Sequence, residues 1–347
     1  MSHDTAGEVD GSERARPRFS VIIPAWNEEK YLPRLLDSID VAKARWGEGK
    51  RELDSRMRGN DEPIVNRQSA IVNPEIEVIV ADNASTDRTA EIARERGCRV
   101  AFVEKRLIAA SRNGGAAMAR GEILCFVDAD YRIHPGTFEH VDHIMSARVG
   151  ERRTTECHGG SVREEGVFNA EGGPPRQVNS APRREGIDSR DEGEAVDSGP
   201  PFRYIGGGTG LVLERKSLAL RITLLAIMPL LLALRIDGGV WFVRRKDFIE
   251  VGGYDESQMI SEDVRLLWAL KKLGKRRRPK QKLATRFDVK KAGVPGRPAL
   301  AVCSTRKFDK HGDWHFLFDF YKAPLLYLFS RRRFEQYARS YWYEDDR

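Results

Sequence analysis

Apolar and polar positions along this chain alternate in blocks whose lengths separate strands from helices. Phe19 to Pro24 reads FSVIIP, a β-rich run closed by proline, followed by Asn27-Glu28-Glu29 and an amphipathic stretch from Tyr31 to Ile39. Ile76 to Val80 is a second apolar run, with a polar turn at Ala81 to Asp87 and a helical pattern over Arg88 to Arg96. Val100 to Val103, a helical stretch over Ser111 to Ala119, and Ile123 to Val127 continue the series. Short runs of branched apolar residues predict buried strands, and the periodic stretches between them predict covering helices. Such alternation predicts an α/β fold with a mostly parallel sheet, whose ligands gather beyond the carboxyl ends of the strands.

The second half repeats the pattern less regularly. Gly206 to Gly208 leads into a predicted strand at Leu211 to Leu213, and Val240 to Val243 is another, preceded by Gly238-Gly239. The longest apolar stretch, Leu218 to Leu234, is broken by Arg221 and Pro229. That leaves it short of the roughly 20 residues that span a bilayer, so it predicts a buried or interfacial helix. Ser261-Glu262-Asp263 opens a helix running through Leu273, because side-chain oxygens cap exposed amides and negative charge suits the positive end of the helix dipole.

Two segments interrupt this order. Residues 42–74 stand where a connection of about six residues is usual, and residues 148–201 contain Phe168 as their only interior aromatic and no leucine. Neither carries enough apolar surface to offset the entropy of ordering, so both are expected to be disordered insertions. Asp54-Ser55-Arg56 in the first recurs as Asp188-Ser189-Arg190 in the second. Residues 1–18 are polar, without the apolar core of a secretory signal, and predict a disordered tail. The expected organisation is one domain over 19–275, carrying the insertions, and a helical extension over 276–347.

Composition narrows the partners. With 347 residues the chain holds one large domain or two ordinary ones. Its mean hydropathy of −0.52, net charge of +7 and pI near 9.2 admit nucleic acid, an anionic membrane or a phosphorylated small molecule. Basic and aromatic residues do not interleave at any defined motif, which argues against nucleic acid. Cys98, Cys125, Cys157 and Cys303 form no C-x-x-C pair, against a structural zinc site or a disulfide framework, and fit a reducing compartment. Trp314 to Tyr343 mixes aromatics and leucines with Arg331-Arg332-Arg333, a pattern that suits either domain packing or a helix lying on an anionic membrane.

The candidate chemistry centres on Asp128-Ala129-Asp130, directly after an apolar run. Residues at i and i+2 of an extended segment point the same way, so both carboxylates can face one ligand. Hard oxygen ligands suit Mg²⁺ or Mn²⁺, which in turn suits a diphosphate. Five further motifs stand in order with it: P-A-W-N-E at Pro24 to Glu28, D-N-A-S-T-D at Asp82 to Asp87, S-R-N-G-G at Ser111 to Gly115, V-G-G-Y-D at Val251 to Asp255, and S-E-D at Ser261 to Asp263.

This ordered series resembles the family 2 glycosyltransferases of the GT-A fold, over residues 19 to about 145 and 203 to about 275. The resemblance implies a single Rossmann-like, mostly parallel sheet flanked by helices, and inverting transfer of a sugar from a UDP- or GDP-linked donor to a hydroxyl acceptor, assisted by Mn²⁺ or Mg²⁺. It implies nucleotide-sugar binding by Pro24, Ala25, Asn27, Glu28, Asp82, Arg112, Asp128 and Ala129, and a metal held by Asp130 with Asp128. Asp263, or Glu262 beside it, is the implied base, while Asp87 is read as a helix cap. Arg306, Lys307, His311 and His315 form a remaining polar cluster able to steady a diphosphate or complete a metal shell. Cell envelope polysaccharide synthesis is a further expectation; the C-terminal pattern adds a lipid-linked acceptor and peripheral membrane contact, and the cysteines and polar N-terminus a cytoplasmic site, free or peripheral on a membrane. Two other readings stand beside it: a non-catalytic nucleotide-sugar-binding or scaffold module, and a sugar nucleotidyltransferase. The latter needs a glycine-rich loop after its first strand, where this chain has Pro24 to Glu28.

Overall fold

The structure, a computed structural model, describes residues 16–58, 75–149, 201–257, 262–289 and 298–315, with isolated positions between 317 and 337. The predicted tail over 1–15, most of the second insertion and most of the C-terminal stretch lie outside the described residues.

In chain order the elements are β1 (Phe19–Ala25), α1 (Leu32–Arg58), β2 (Ile76–Asp82), α2 (Thr89–Glu95), β3 (Arg99–Phe102), α3 (Ile108–Met118), β4 (Ile123–Phe126) and α4 (Thr137–Ser146). After the second insertion come β5 (Tyr204–Gly208), β6 (Leu211–Leu213), α5 (Leu218–Ala233), β7 (Trp241–Arg244), α6 (Arg245–Glu250), α7 (Glu262–Arg276), β8 (Lys282–Ala284), β9 (Ala301–Cys303) and α8 (Arg306–His311). Seven strands form one sheet in the order β3-β2-β1-β4-β7-β5-β8, and β6 pairs with β9 in a separate two-stranded ribbon. Within the sheet only β7 runs antiparallel to its neighbours β4 and β5. The mostly parallel α/β architecture read from the pattern is therefore present.

Both faces of the sheet are covered, which is why its strands read as nearly continuous apolar runs. In β1 the alternation sends Phe19, Val21, Ile23 and Ala25 into one core with α1 and α4. Ile22 points the other way, into a second core with α3 and α7.

The domain does not end at 275: β8 belongs to the main sheet and β9 pairs with β6, so the stretch from 276 is not a helical extension alone. Two further expectations need correction. Helix α1 does not stop near Ile39 but continues to Arg58, so residues 42–58 are not part of a disordered insertion. Leu35, Ile39, Ala42 and Trp46 are all buried at three- and four-residue spacing, one continuous helical stripe that the surrounding charges obscured. Trp46 packs edge-on against Phe19 at 5.3 Å and donates its Nε1 proton to Glu75 at 2.8 Å. Residues 59–74 lie outside the described residues. The second correction concerns Gly206 to Gly208, read as a lead-in and in fact part of a fully buried strand, Tyr204–Gly208, between β7 and β8. A Cβ at Gly207 would stand 2.5 Å from the Ala284 carbonyl oxygen, so glycine here permits a close approach of two backbones.

The ends of the second insertion meet. Arg148 and Phe202 form an antiparallel bridge, and the Val149 amide donates to the Pro201 carbonyl at 3.0 Å. A short loop can close that gap at little entropic cost. Replacing residues 150–200 with a short Gly-Ser linker should leave a single cooperative melt within about 3 °C of the native chain; loss of cooperative melting would show that the insertion supports the core.

Candidate active site

The loops after β1 and β2 are sewn together. Asn27, in the left-handed region at φ 53, accepts the Thr86 amide at 2.9 Å, and its own amide donates to the Ser85 hydroxyl at 3.0 Å. Asp82 is buried and accepts the Ser85 amide at 3.3 Å. Asp87 accepts the amides of Thr89 at 2.9 Å and Glu29 at 3.1 Å, consistent with a cap on α2. Asn27 and Asp82 were expected to touch the nucleotide sugar, but neither lines the cavity described below; internal hydrogen bonds hold both in the turns beneath it. Asn83, not singled out in the sequence, lines it instead.

One buried carboxylate anchors the far end of the chain to this edge. Glu28 takes both terminal nitrogens of Arg306, at 2.8 and 2.8 Å, in a bidentate pair. The same guanidinium places Nε 3.1 Å from Asp130 and lies over the Tyr31 ring at 4.8 Å. Burial would lower the Arg306 pKa, but Glu28 and Asp130 outweigh it and raise it above the ordinary arginine value.

Arg112 does the same on the opposite side. From α3, one nitrogen donates to Asp128 at 3.1 Å, and the other to Asp263 at 2.7 Å and Glu262 at 3.4 Å. Its guanidinium also lies 5.2 Å from the Tyr254 ring centroid. The placement depends on a clasp between two motifs: Asn113 donates to the Tyr254 carbonyl at 2.9 Å and accepts the Tyr254 amide at 2.9 Å. Gly253 makes the clasp possible, at φ +70 and with space for a Cβ only 2.8 Å from the Asn113 oxygen. Burial opposes the charge on Arg112, but Asp263, Asp128 and Glu262 hold its pKa well above the ordinary value. Arg112 itself is buried, but Asp128 and Asp263 are about half exposed, so solvent screens these two pairs and lessens what each contributes to stability.

These side chains surround a cavity of about 480 Å³. Pro24, Ala25, Glu28, Arg112, Asp128, Ala129, Asp130, Glu262 and Asp263 all line it, so nine predicted residues from four separate stretches of chain meet in one place. Trp26 also lines it, and the buried Trp26 Nε1 and Arg112 Nε lack hydrogen-bond partners among the described residues. The opposite wall is apolar, built from Leu220, Leu224, Ile227, Met228 and Leu231 of α5.

No group of three or more His, Cys, Asp or Glu side chains is placed to hold a metal among the described residues. Asp128 and Asp130 each face an arginine instead. Two carboxylates on a cavity wall nonetheless fit Mg²⁺ or Mn²⁺ arriving with a diphosphate, because such ions commonly take one or two carboxylates and complete their shell with phosphate oxygens. His315 lines the cavity and sets Nδ1 2.6 Å from the Gly312 carbonyl; His311 packs against it at 5.4 Å without lining the cavity. Burial pushes the Cys303 thiol up to about 12, which keeps this cavity-lining cysteine out of thiolate chemistry.

A mostly parallel sheet with carboxylates converging beyond its strand ends defines a candidate nucleotide-binding α/β enzyme site. Residues 65–147 match the family model described as Glycosyl transferase family 2, so this segment is similar to that family in sequence. A stretch of 128 residues, 33% of this chain, is 34% identical to 4,4'-diaponeurosporenoate glycosyltransferase of Staphylococcus haemolyticus and covers 25% of that protein. Another of 148 residues, 41% of this chain, is 25% identical to validoxylamine A glucosyltransferase of Streptomyces hygroscopicus subsp. limoneus and covers 26% of it. The chain thus spans about a quarter of the length of these curated relatives. Among solved structures, the mannosyltransferase PcManGT from Pyrobaculum calidifontis, in complex with GDP-Man and Mn²⁺, superposes with a TM-score of 0.43 at 15% identity, over 83% of this chain and 56% of that one.

Burial, and then the charge of Asp263, push the Glu262 carboxyl up to about 7. Glu262 therefore stays protonated in the folded chain while it ionises in the unfolded chain above its ordinary value of 4.5. Its stabilising contribution is largest below that value and is lost as pH rises through about 7. Glu262→Gln should melt a few degrees above the native chain at about pH 8 and level with it near pH 4, read by thermal unfolding across pH; equal melts at both would show that Arg112 fully compensates the ionised form.

Proposed function

We propose that this chain is a glycosyltransferase that moves a sugar from a nucleoside-diphosphate donor to a hydroxyl acceptor with inversion. The observation that carries this reading is the convergence of Glu28, Asp128 and Asp130, at the carboxyl edge of β1 and β4, with Glu262 and Asp263 from α7 around one cavity. The glycosyltransferase names of its relatives support it.

In this reading Asp263 is the base. Its Oδ1 is held by Arg112, and the side chain remains half exposed to the cavity, so Oδ2 is available for the acceptor's proton. The acceptor oxygen forms its bond to the anomeric carbon as the bond to the diphosphate oxygen breaks and that electron pair departs with the nucleoside diphosphate. Glu262, largely buried and also within reach of Arg112, orients the pair. Asp130 with Asp128 would hold a divalent cation, which supplies positive charge to the leaving diphosphate. Arg306 stands beside Asp130, with a planar donor fork suited to phosphate oxygens. Trp26, Ala25 and Asn83 supply the wall for the nucleoside, whether UDP- or GDP-linked.

One observation favours a second reading, a nucleotide-sugar-binding module without transfer: both carboxylates of the Asp128-Ala129-Asp130 triplet are already paired with arginines. Two measurements separate the readings. UDP or GDP at about 100 times its Kd, with Mn²⁺, should raise the melting temperature by a few degrees; no response to any nucleoside diphosphate would remove the donor site. Asp263→Asn should retain that shift and lose transfer by about 10²-fold or more in a screen of nucleotide sugars. Native-level transfer by the variant would move the base elsewhere, and absence of transfer in the native chain, with the shift intact, would favour the binding module.

A further inference from the structure

Helix α5 is apolar on every side, a composition normally confined to helices buried all round. Here only one side is covered. Leu220, Thr223 and Ile227 are buried, whereas Leu218 is 75% exposed, Leu225 77% and Leu230 51%, with Ile222 and Leu234 also open. Residues 218, 222, 225, 229 and 233 recur at helical spacing, so these positions form one continuous outward stripe in which Arg221 is the only nearby charge on the helix. Scattered single apolar residues are also exposed elsewhere, Phe102, Ile249 and Phe287 among them, but a contiguous apolar stripe of this length marks a docking surface.

The charges around the stripe say what it meets. Helix α5 carries no acidic residue. Lys216 and Arg221 stand at its start; just past its end are Arg235, whose guanidinium is paired with Asp288, and the Lys271 amine of α7, which donates to the Leu234 carbonyl. Lys271 is held below the ordinary lysine value by burial and by the charges of Arg235 and Lys275, which places the three cations together at that end. Trp268, 64% exposed one turn before Lys271, shares its face of α7. An apolar stripe bracketed by cations, with an exposed tryptophan nearby, matches the boundary of an anionic lipid layer, where acyl chains, glycerol and phosphates lie at successive depths toward water. At 16 residues α5 is about 24 Å long, below the roughly 30 Å of a bilayer core, so it fits along the surface rather than across.

We propose that the outer face of α5, with Trp268 of α7, docks this protein on an anionic phospholipid surface. The inner face of the same helix walls the cavity, so docking brings the cavity to the lipid boundary. The test is cosedimentation of the full chain with phosphatidylcholine vesicles containing about 30% phosphatidylglycerol, compared with phosphatidylcholine alone. The native chain should bind the anionic vesicles, and a Leu218→Ser, Leu225→Ser, Leu230→Ser variant should bind them about tenfold more weakly or worse, with an unchanged melt because the substituted side chains are exposed. Lys216→Glu with Arg221→Glu should weaken binding to anionic vesicles only. Failure of the native chain to bind, or equal binding by the leucine variant, overturns the proposal. So does a native dimer, seen by sedimentation, that the leucine variant abolishes while vesicle binding is unchanged, since a second copy would then cover the face. A chain that binds vesicles but no nucleoside diphosphate overturns the transferase reading and leaves the membrane face in place.

Discussion

A single buried guanidinium holds the two halves of this site together. Arg112 reaches from α3 to Asp128 behind β4 and to Glu262 and Asp263 at the start of α7, about 150 residues later. Three carboxylates gathered this closely would repel one another, and only a fixed cation with several donors allows them to share one wall. Everything that positions Arg112 matters accordingly: the clasp of Asn113 on Tyr254, the glycine at 253, and the aromatic packing of Phe126 and Phe248 around the Tyr254 ring.

Arg306 applies the same solution on the other side of the cavity, tying Glu28 and Asp130 into one ion-paired group. Between these two arginines lie the carboxylates that a nucleoside diphosphate and its cation would address. In the proposed function, ligand binding there would be an exchange of partners, arginine for metal at Asp130 and arginine for phosphate, rather than the filling of a bare acidic pocket. Opposite them stands the leucine wall of α5. One wall suits charge and the other apolar surface.

The parallel strands, the order of the motifs and the meeting of nine of the eleven named residues at one cavity were legible because each depends on local pattern: apolar runs, carboxylates after strand ends, acids at a helix start. What local pattern did not convey shares a cause. Asn27 and Asp82 have the right chemistry at the right edge, but which way such side chains turn is set by the amides of Ser85 and Thr86, on a loop whose path no local pattern encodes. Helix α1 ran further than expected because its buried stripe through Ala42 and Trp46 is sparse among charges and becomes evident only when Phe19 is seen against Trp46. The strand Tyr204–Gly208 carries glycines that read as a turn, and only the close backbones of Phe242 and Ala284 explain why they form a buried strand.

By itself, then, the sequence determined the α/β alternation, the carboxylates that follow its strands and the apolar character of Leu218 to Leu234, because these are properties of neighbouring residues. Tertiary structure decided which carboxylates meet, that each is held by an arginine, and that α5 turns one face to the cavity and leaves the other open. Those outcomes arise from contacts between residues up to 278 positions apart, as between Glu28 and Arg306, and side-chain charge at such separation acts only once the fold has brought the partners within a few ångströms.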